Sequence, residues 1–371
     1  MKVRIYIAPT LEALTNHLKK LVSGRKALVF CEDRLTLEAE KAVASAQAVF
    51  DVSVTTFARF LDDGTPRKVL TKQGSVLVVG GIASRLAGEL KCFGKNPSGC
   101  AASLYETIAQ LRAALVTPEM LEEARAEADK LLGEKLGDIA LIYREYLAFL
   151  DKGYLDESGV LALLPAAIAR QKPEGADICF AGFSSFTRQA AEGILAACRS
   201  GADVSAVLIG GEEAVYTNEA AEAFEKYARR AGADCEKIFL PSDLIPEAEA
   251  LRRALFDPAY PAPMQTGRVH IFEASDPEDE LRFIAAAMRA EIYRGARWRD
   301  ISLYLSDVAG YSVSLKKIFG EYRIPYYADV KKSAAKHPLC RFVLGWFSML
   351  SEGFDPADAD AFIGNPFFGG E

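Results

Sequence analysis

Short apolar runs rich in β-branched and aromatic residues alternate with stretches of helical periodicity along this chain, and that alternation leaves few folds open. The runs are VRIYIA at 3–8, KALVFC at 26–31, FDVSVTTF at 50–57, SVLVVG at 75–80, DICFAGF at 177–183, DVSAVLIG at 203–210 and CEKIFL at 235–240. Helical patterns fall between them at 11–22, 36–48, 187–199 and 217–231. Strands buried on both faces read as unbroken apolar runs, and an intervening helix returns the chain for the next parallel strand. The pattern predicts an α/β fold, a doubly wound parallel sheet covered on both faces.

Two interruptions divide the pattern. Residues 83–170 read as all-helical, with Thr117-Pro118-Glu119 as a cap followed by proline in the first turn. The strand pattern resumes after Pro173-Glu174-Gly175, so this stretch is expected to be a helical insertion. A proline-rich stretch at 257–267 marks the second boundary. Beyond it RVHIFEA, DISLYLSD and IPYYAD read as strands, and DPEDELRFIAAAMRAEIYRG and YSVSLKKIFGEY as helices. The expected division is 1–82 and 173–262 as two halves of a first domain, 83–172 as its insertion, and 267–371 as the start of a second α/β domain. The chain is expected to be part of a longer one.

The first strand runs through a turn, Ala8-Pro9-Thr10, into an amphipathic helix, the place where many α/β proteins hold phosphate. A phosphate loop needs glycines that let backbone N–H groups approach, and a lysine that reaches the phosphates; neither is here. The residues alone leave two readings open, an unrelated α/β protein or a nucleotide-binding plan stripped of its chemistry. A net charge of -7 over 371 residues argues against general electrostatic binding of nucleic acid, so any such contact must be local. Seven scattered cysteines (31, 92, 100, 179, 198, 235 and 340) form no C-x-x-C pair and lie near no histidine at zinc spacing. They suit buried thiols of a reducing cytoplasm, and no metal site is expected. No apolar run approaches the roughly 18 residues of a membrane span.

At 272–329 the order of an acidic helix, a DISLYL strand and an IPYYAD element resembles the opening of the second motor domain of UvrD-like, superfamily one helicases, and KHPLCRFVLGWFSML continues the match. EDRLTLEAE (32–40), VTTFARF (54–60), KLGDIALIYREYLAFLDKGYLDESGVL (135–161), AGFSSFTRQA (181–190) and His337-Pro338-Leu339 together resemble the N-terminal part of the AddB family. That family supplies a subunit of a helicase-nuclease that processes double-strand breaks for recombination. The resemblance implies a RecA-like fold in both domains, an AddA-type partner subunit, and single-stranded DNA as ligand. It also implies that the family's nuclease and iron-sulfur cysteines lie outside this chain. In an active helicase of this class the strand before FSSFTRQA ends in Asp-Glu, which holds magnesium and positions water. Ala181 and Gly182 stand there instead. With the phosphate turn also lost at Ala8, Pro9 and Thr10, neither ATP nor magnesium is expected to bind, although many AddB proteins keep a phosphate-loop sequence.

Carried over by position, the DNA-facing loops offer Arg34 and Thr36 (beside Asp33), Phe57 and Arg59, and Phe183, Phe186 and Arg188. Aromatic faces stack on bases, while arginine and short polar side chains reach edges or phosphates. Spacing supplies a plainer alternative: Phe57 and Phe60, like Phe183 and Phe186, are three apart, so one of each pair suits the core, and Arg34 suits a bridge to Glu38. Where the family has glutamine near position 34 this chain has arginine. The expectation is an inactivated helicase-like module that scaffolds its complex and guides single-stranded DNA, with a part in recognising the hotspot sequence Chi. The alternatives are a motor with an atypical phosphate loop and a purely structural partner-binding domain.

Overall fold

Six of the apolar runs pair into one parallel sheet, with the central runs at 27–31 and 177–181 buried on both faces and the edge run at 234–239 largely exposed. In the computed structural model, which describes residues 1–45, 51–62, 68–171, 175–212, 218–256, 267, 269–328 and 333–369, the strands are β1 (Lys2–Ala8), β2 (Ala27–Cys31), β3 (Val52–Thr55), the short β4 (Lys68–Val69) and β5 (Tyr154–Leu155), β6 (Asp177–Ala181), β7 (Val204–Ile209) and β8 (Asp234–Phe239). Six form the main sheet in the order β3-β2-β6-β7-β1-β8. All its pairs are parallel, with Cys31 opposite Ala181 and Ala8 opposite Ile209. Side chains alternate between two cores as the strand period requires. Val29, Cys31, Cys179 and Ala181 face the helices Leu11–Val22 and Thr36–Ala44. Leu28, Phe30, Ile178 and Phe180 face Leu164–Gln171, Arg188–Arg199 and Glu219–Arg230. This is the RecA-like α/β arrangement.

The run SVLVVG at 75–80, expected as a strand, is helix. It lies within Lys72–Arg85, whose N-terminus Thr71 caps by accepting from the Gly74 N–H. Ser75, Val79, Ile82 and Ala83 are buried while Leu77 is exposed, a helical spacing; in a strand Ser75, Leu77 and Val79 would share one face. A short apolar run carries no period of its own, and the packing around it chooses. With Ala101–Ala113, Pro118–Glu127 and Lys130–Leu150 this helix builds a separate core around Ile108, Ile142 and Tyr146. Buried Asp138 secures the connection at 91–93 by accepting three backbone N–H groups, from Lys91 (3.0 Å), Cys92 (2.7 Å) and Phe93 (3.2 Å).

Residues 270–371 form a second unit. Its helices Pro277–Tyr293 and Val308–Glu321 pack through Leu281, Ala285, Leu315 and Ile318. Leu303, Leu305 and Ile324 rest on this pair. Among the described residues from 269 onward no strand is paired, so DISLYLSD and the described parts of RVHIFEA (269–274) and IPYYAD (324–328) differ from expectation. From 301 to 306 exposure alternates with period two, Ser302, Tyr304 and Ser306 facing out. The segment has the side-chain pattern of a strand, but helices offer no backbone partners for a ladder. The acidic cluster at 278–281 is a helix first turn capped by Asp276, with Glu278 paired to Lys317 and Glu280 accepting from the Tyr311 hydroxyl. The boundary stretch 257–266, and Lys331 with Lys332, lie outside the described residues.

Candidate functional site at the carboxyl ends of the strands

Strand order opens a crevice. From β2 the chain crosses to β3 on one side, from β6 to β7 on the other, and loops that diverge from adjacent parallel strands leave a cleft outside their carboxyl ends. The cleft, about 710 Å3, is lined by Cys31, Glu32 and Asp33 after β2, by Thr56, Phe57, Arg59 and Leu61 after β3, by Phe183 after β6, and by Val69, Glu157, Val160 and Leu161.

Glu32 ties its inner loops together. One carboxylate oxygen accepts from the Ser184 N–H (2.7 Å) and hydroxyl (2.8 Å), the other from Arg34 Nε (2.6 Å). Burial pushes the Glu32 carboxyl up, but the donors from Ser184 and Arg34 outweigh it and hold the group below the usual carboxylate range. Sequence reasoning passed over Glu32, whose partner Ser184 lies far along the chain; adjacency to Arg34 was the only local sign.

The expected site residues divide into three groups. Phe57, Phe183 and Phe186 come together: Phe183 is 7% exposed and stacks on Phe57 at 5.2 Å, with Phe186 at 4.8 Å on its other side. They continue the core formed by Phe30, Phe180 and Phe224, and Phe57 borders the crevice. Thr36 faces inward, donating to the Glu32 carbonyl (3.4 Å) and accepting from the Cys31 thiol. Burial raises the pKa of that thiol. The arginines are exposed: Arg34 pairs with Glu32 rather than Glu38, Arg59 meets Glu40 at 3.5 Å, and Arg188 has no ion pair among the described residues. Thr56 caps the following helix, its hydroxyl accepting from the Arg59 N–H (3.2 Å).

The turn after β1 is closed differently. Thr10 caps the helix Leu11–Val22 by accepting from the Ala13 N–H (3.0 Å), and its hydroxyl donates to the Asp243 carboxylate. Two strands away, Ala181 is buried and Gly182 takes φ +68°. A Cβ at Gly182 would lie 2.0 Å from Leu35 Cδ2, so Leu35 occupies the space where a side chain would begin. Among the described residues no three His, Cys, Asp or Glu side chains gather as a metal site requires, and no helix is long and apolar enough to cross a membrane.

A family model described as "ADDB, N-terminal" matches residues 9–233. The chain belongs to that family. The AddB match runs through every residue lining the crevice and stops just before β8. Relatives named as the B-type subunit of an ATP-dependent helicase/deoxyribonuclease align over most of the chain. One from Clostridium novyi (strain NT) is 26% identical over 85% of this chain and 31% of its own length. One from Alkaliphilus oremlandii (strain OhILAs) is 26% identical over 94% and 34%. One from Geobacillus kaustophilus (strain HTA426) is 27% identical over 91% and 32%. The chain thus spans about a third of the length of the curated relatives it matches.

Proposed function

We propose that this chain is the inactivated helicase-like part of the B-type subunit of a helicase/deoxyribonuclease, which works beside an AddA-type partner in processing double-strand breaks. It binds and guides single-stranded DNA without turning over ATP. The observation that carries the reading is the contrast between the two ends of one sheet edge. At the β1 end an acidic side chain, Asp243, sits on the cap where phosphate would add more negative charge; two strands away, after β6, Leu35 from the β2 loop fills the place of a catalytic carboxylate at Gly182. These residues do not fit magnesium-ATP. At the β2/β6 end an open crevice offers groups suited to unstacked bases. The Phe57 ring borders it; Asp33 can accept from an exocyclic amine; Arg59 adds a long polar reach. Arg34, on the turn after β2, and Arg188, at the start of the helix Arg188–Arg199, are exposed and can meet phosphates. Base-edge groups in such a place also suit a part in Chi recognition, and the arginine at position 34 predicts a preference that differs from the family's.

Titrating a labelled single-stranded oligonucleotide at low salt tests this. The wild-type chain is expected to bind, more weakly as salt rises, and an Arg34→Ala/Arg59→Ala variant to lose about ten-fold or more. If both fail to bind at micromolar protein, DNA guidance by this chain is wrong. An unchanged melting temperature at saturating magnesium-ATP is expected; a rise would support a motor with an atypical phosphate loop instead.

A further inference from the structure

The crevice has two walls of different origin. The inner wall is made by the loops after β2, β3 and β6. The outer wall, Val69, Glu157, Val160 and Leu161, stands on the β4/β5 pair and the short helix Glu157–Leu161, in the sequence KGYLDESGVL. One buried carboxylate ties that wall to the helical insertion. Asp156, 1% exposed, accepts from Arg112 Nη1 (2.9 Å) and the Tyr146 hydroxyl (3.0 Å) on one oxygen and from the Gly159 N–H (2.7 Å) on the other. Arg112 belongs to Ala101–Ala113 and Tyr146 to Lys130–Leu150, two helices of the insertion's core. From the sheet side Gln189 Nε2 donates to the Ser158 carbonyl (2.6 Å). The wall is thus suspended between insertion and sheet.

Stability alone is a poor reason for such a cluster, since apolar groups of similar volume commonly stabilise as well as a buried ion pair does. What three directional donors on one carboxylate do better is select a single geometry. We infer that Asp156 is a positioning residue, whose contacts with Arg112 and Tyr146 set the separation of the crevice walls. They thereby make occupancy of the crevice and packing of the helical insertion one linked equilibrium. The inference rests on the crevice taking a ligand, proposed above as single-stranded DNA.

The test uses the whole chain and three variants: Tyr146→Phe, Asp156→Asn, and Asp156→Asn/Arg112→Met, which removes the unpaired buried cation left by the single change. Each is followed by urea unfolding, by oligonucleotide affinity, and by backbone hydrogen exchange at 156–161. The double variant is expected to recover the unfolding midpoint lost in Asp156→Asn. It should still bind DNA about ten-fold more weakly than wild type and exchange faster at 156–161, effects a merely structural role would not leave behind. If Asp156→Asn does not fold, Tyr146→Phe carries the measurement, with about a three-fold effect on both readouts. Variants that fold and keep wild-type exchange at 156–161 overturn the inference. If the wild-type chain binds no DNA, the exchange arm decides alone: faster exchange keeps Asp156 as the positioning residue and removes only the proposed ligand.

Discussion

The two ends of the sheet edge are built from the same materials, a strand, a tight loop and a helix, yet one is shut and the other open. At β1 the helix N-terminus is satisfied internally by Thr10 and Asp243, while the contact of Leu35 with Gly182 lies between the β2 and β6 loops themselves. At β2 and β6 the loops diverge, and Glu32 holds their bases together while the space above stays free. A sheet edge is therefore not one site: each pair of neighbouring strands opens or closes according to where its connections go and what its first loop residues reach.

Six substitutions test that contrast, in falling order of expected effect on folding stability. Gly182→Ala adds a left-handed backbone penalty to a collision with Leu35, and urea unfolding should show a loss of about 2–4 kcal/mol. Wild-type stability would mean that Leu35 yields and that the packing between the β2 and β6 loops is soft. Glu32→Gln weakens the pin to Ser184 and Arg34 and is expected to cost about 1–3 kcal/mol. The same residue gives the open end an acid limit. Its folded-state pKa is depressed, so its contribution is complete above the ordinary carboxylate range and fades as pH falls towards the lowered value. A pH series of unfolding midpoints should show that fading in wild type and not in Glu32→Gln.

Thr10→Ala removes the cap and is expected to cost about 1 kcal/mol, with no gain of ATP-dependent thermal protection. Protection appearing in this variant would show that the β1 end is blocked by its cap rather than unfit for nucleotide. The smallest effect belongs to Arg34, Arg59 and Arg188. Their replacement by alanine, singly, should shift stability by less than about 0.5 kcal/mol, because exposed ion pairs contribute little. A large loss of stability would make them structural and undo their assignment to DNA.

Much of this was legible in the residues. β2 and β6 were apparent as unbroken apolar runs, and the absence of glycine and lysine at Ala8-Pro9-Thr10 is read directly from the residues. The phenylalanines were legible as a group by their spacing, but not their division: Phe183 packs against both Phe57 and Phe186, and Phe57 and Phe183 both line the crevice. The run at 75–80 misled because β-branched residues suit a strand by propensity, whereas the helices around it supplied a groove that only a helix fills. Glu32, Asp156 and Asp243 were not legible as site residues at all, since each is defined by a partner between 44 and 233 positions away. A carboxylate in a sequence shows its charge but not which donors will surround it.

By itself, then, the sequence determined the class of the molecule: parallel strands, covering helices, and a first turn without the glycines and lysine of a phosphate loop. Those properties follow from local periodicity and from the presence or absence of particular atoms, and no folding is needed to count them. Tertiary structure alone decided that Leu35 closes over Gly182, that Glu32 joins two loops, and that Asp156 hangs one wall of the crevice from the helical insertion. The reason is physical. Close packing and directional hydrogen bonds act over a few ångströms in space, and only the fold brings residues so far apart in the chain within that range.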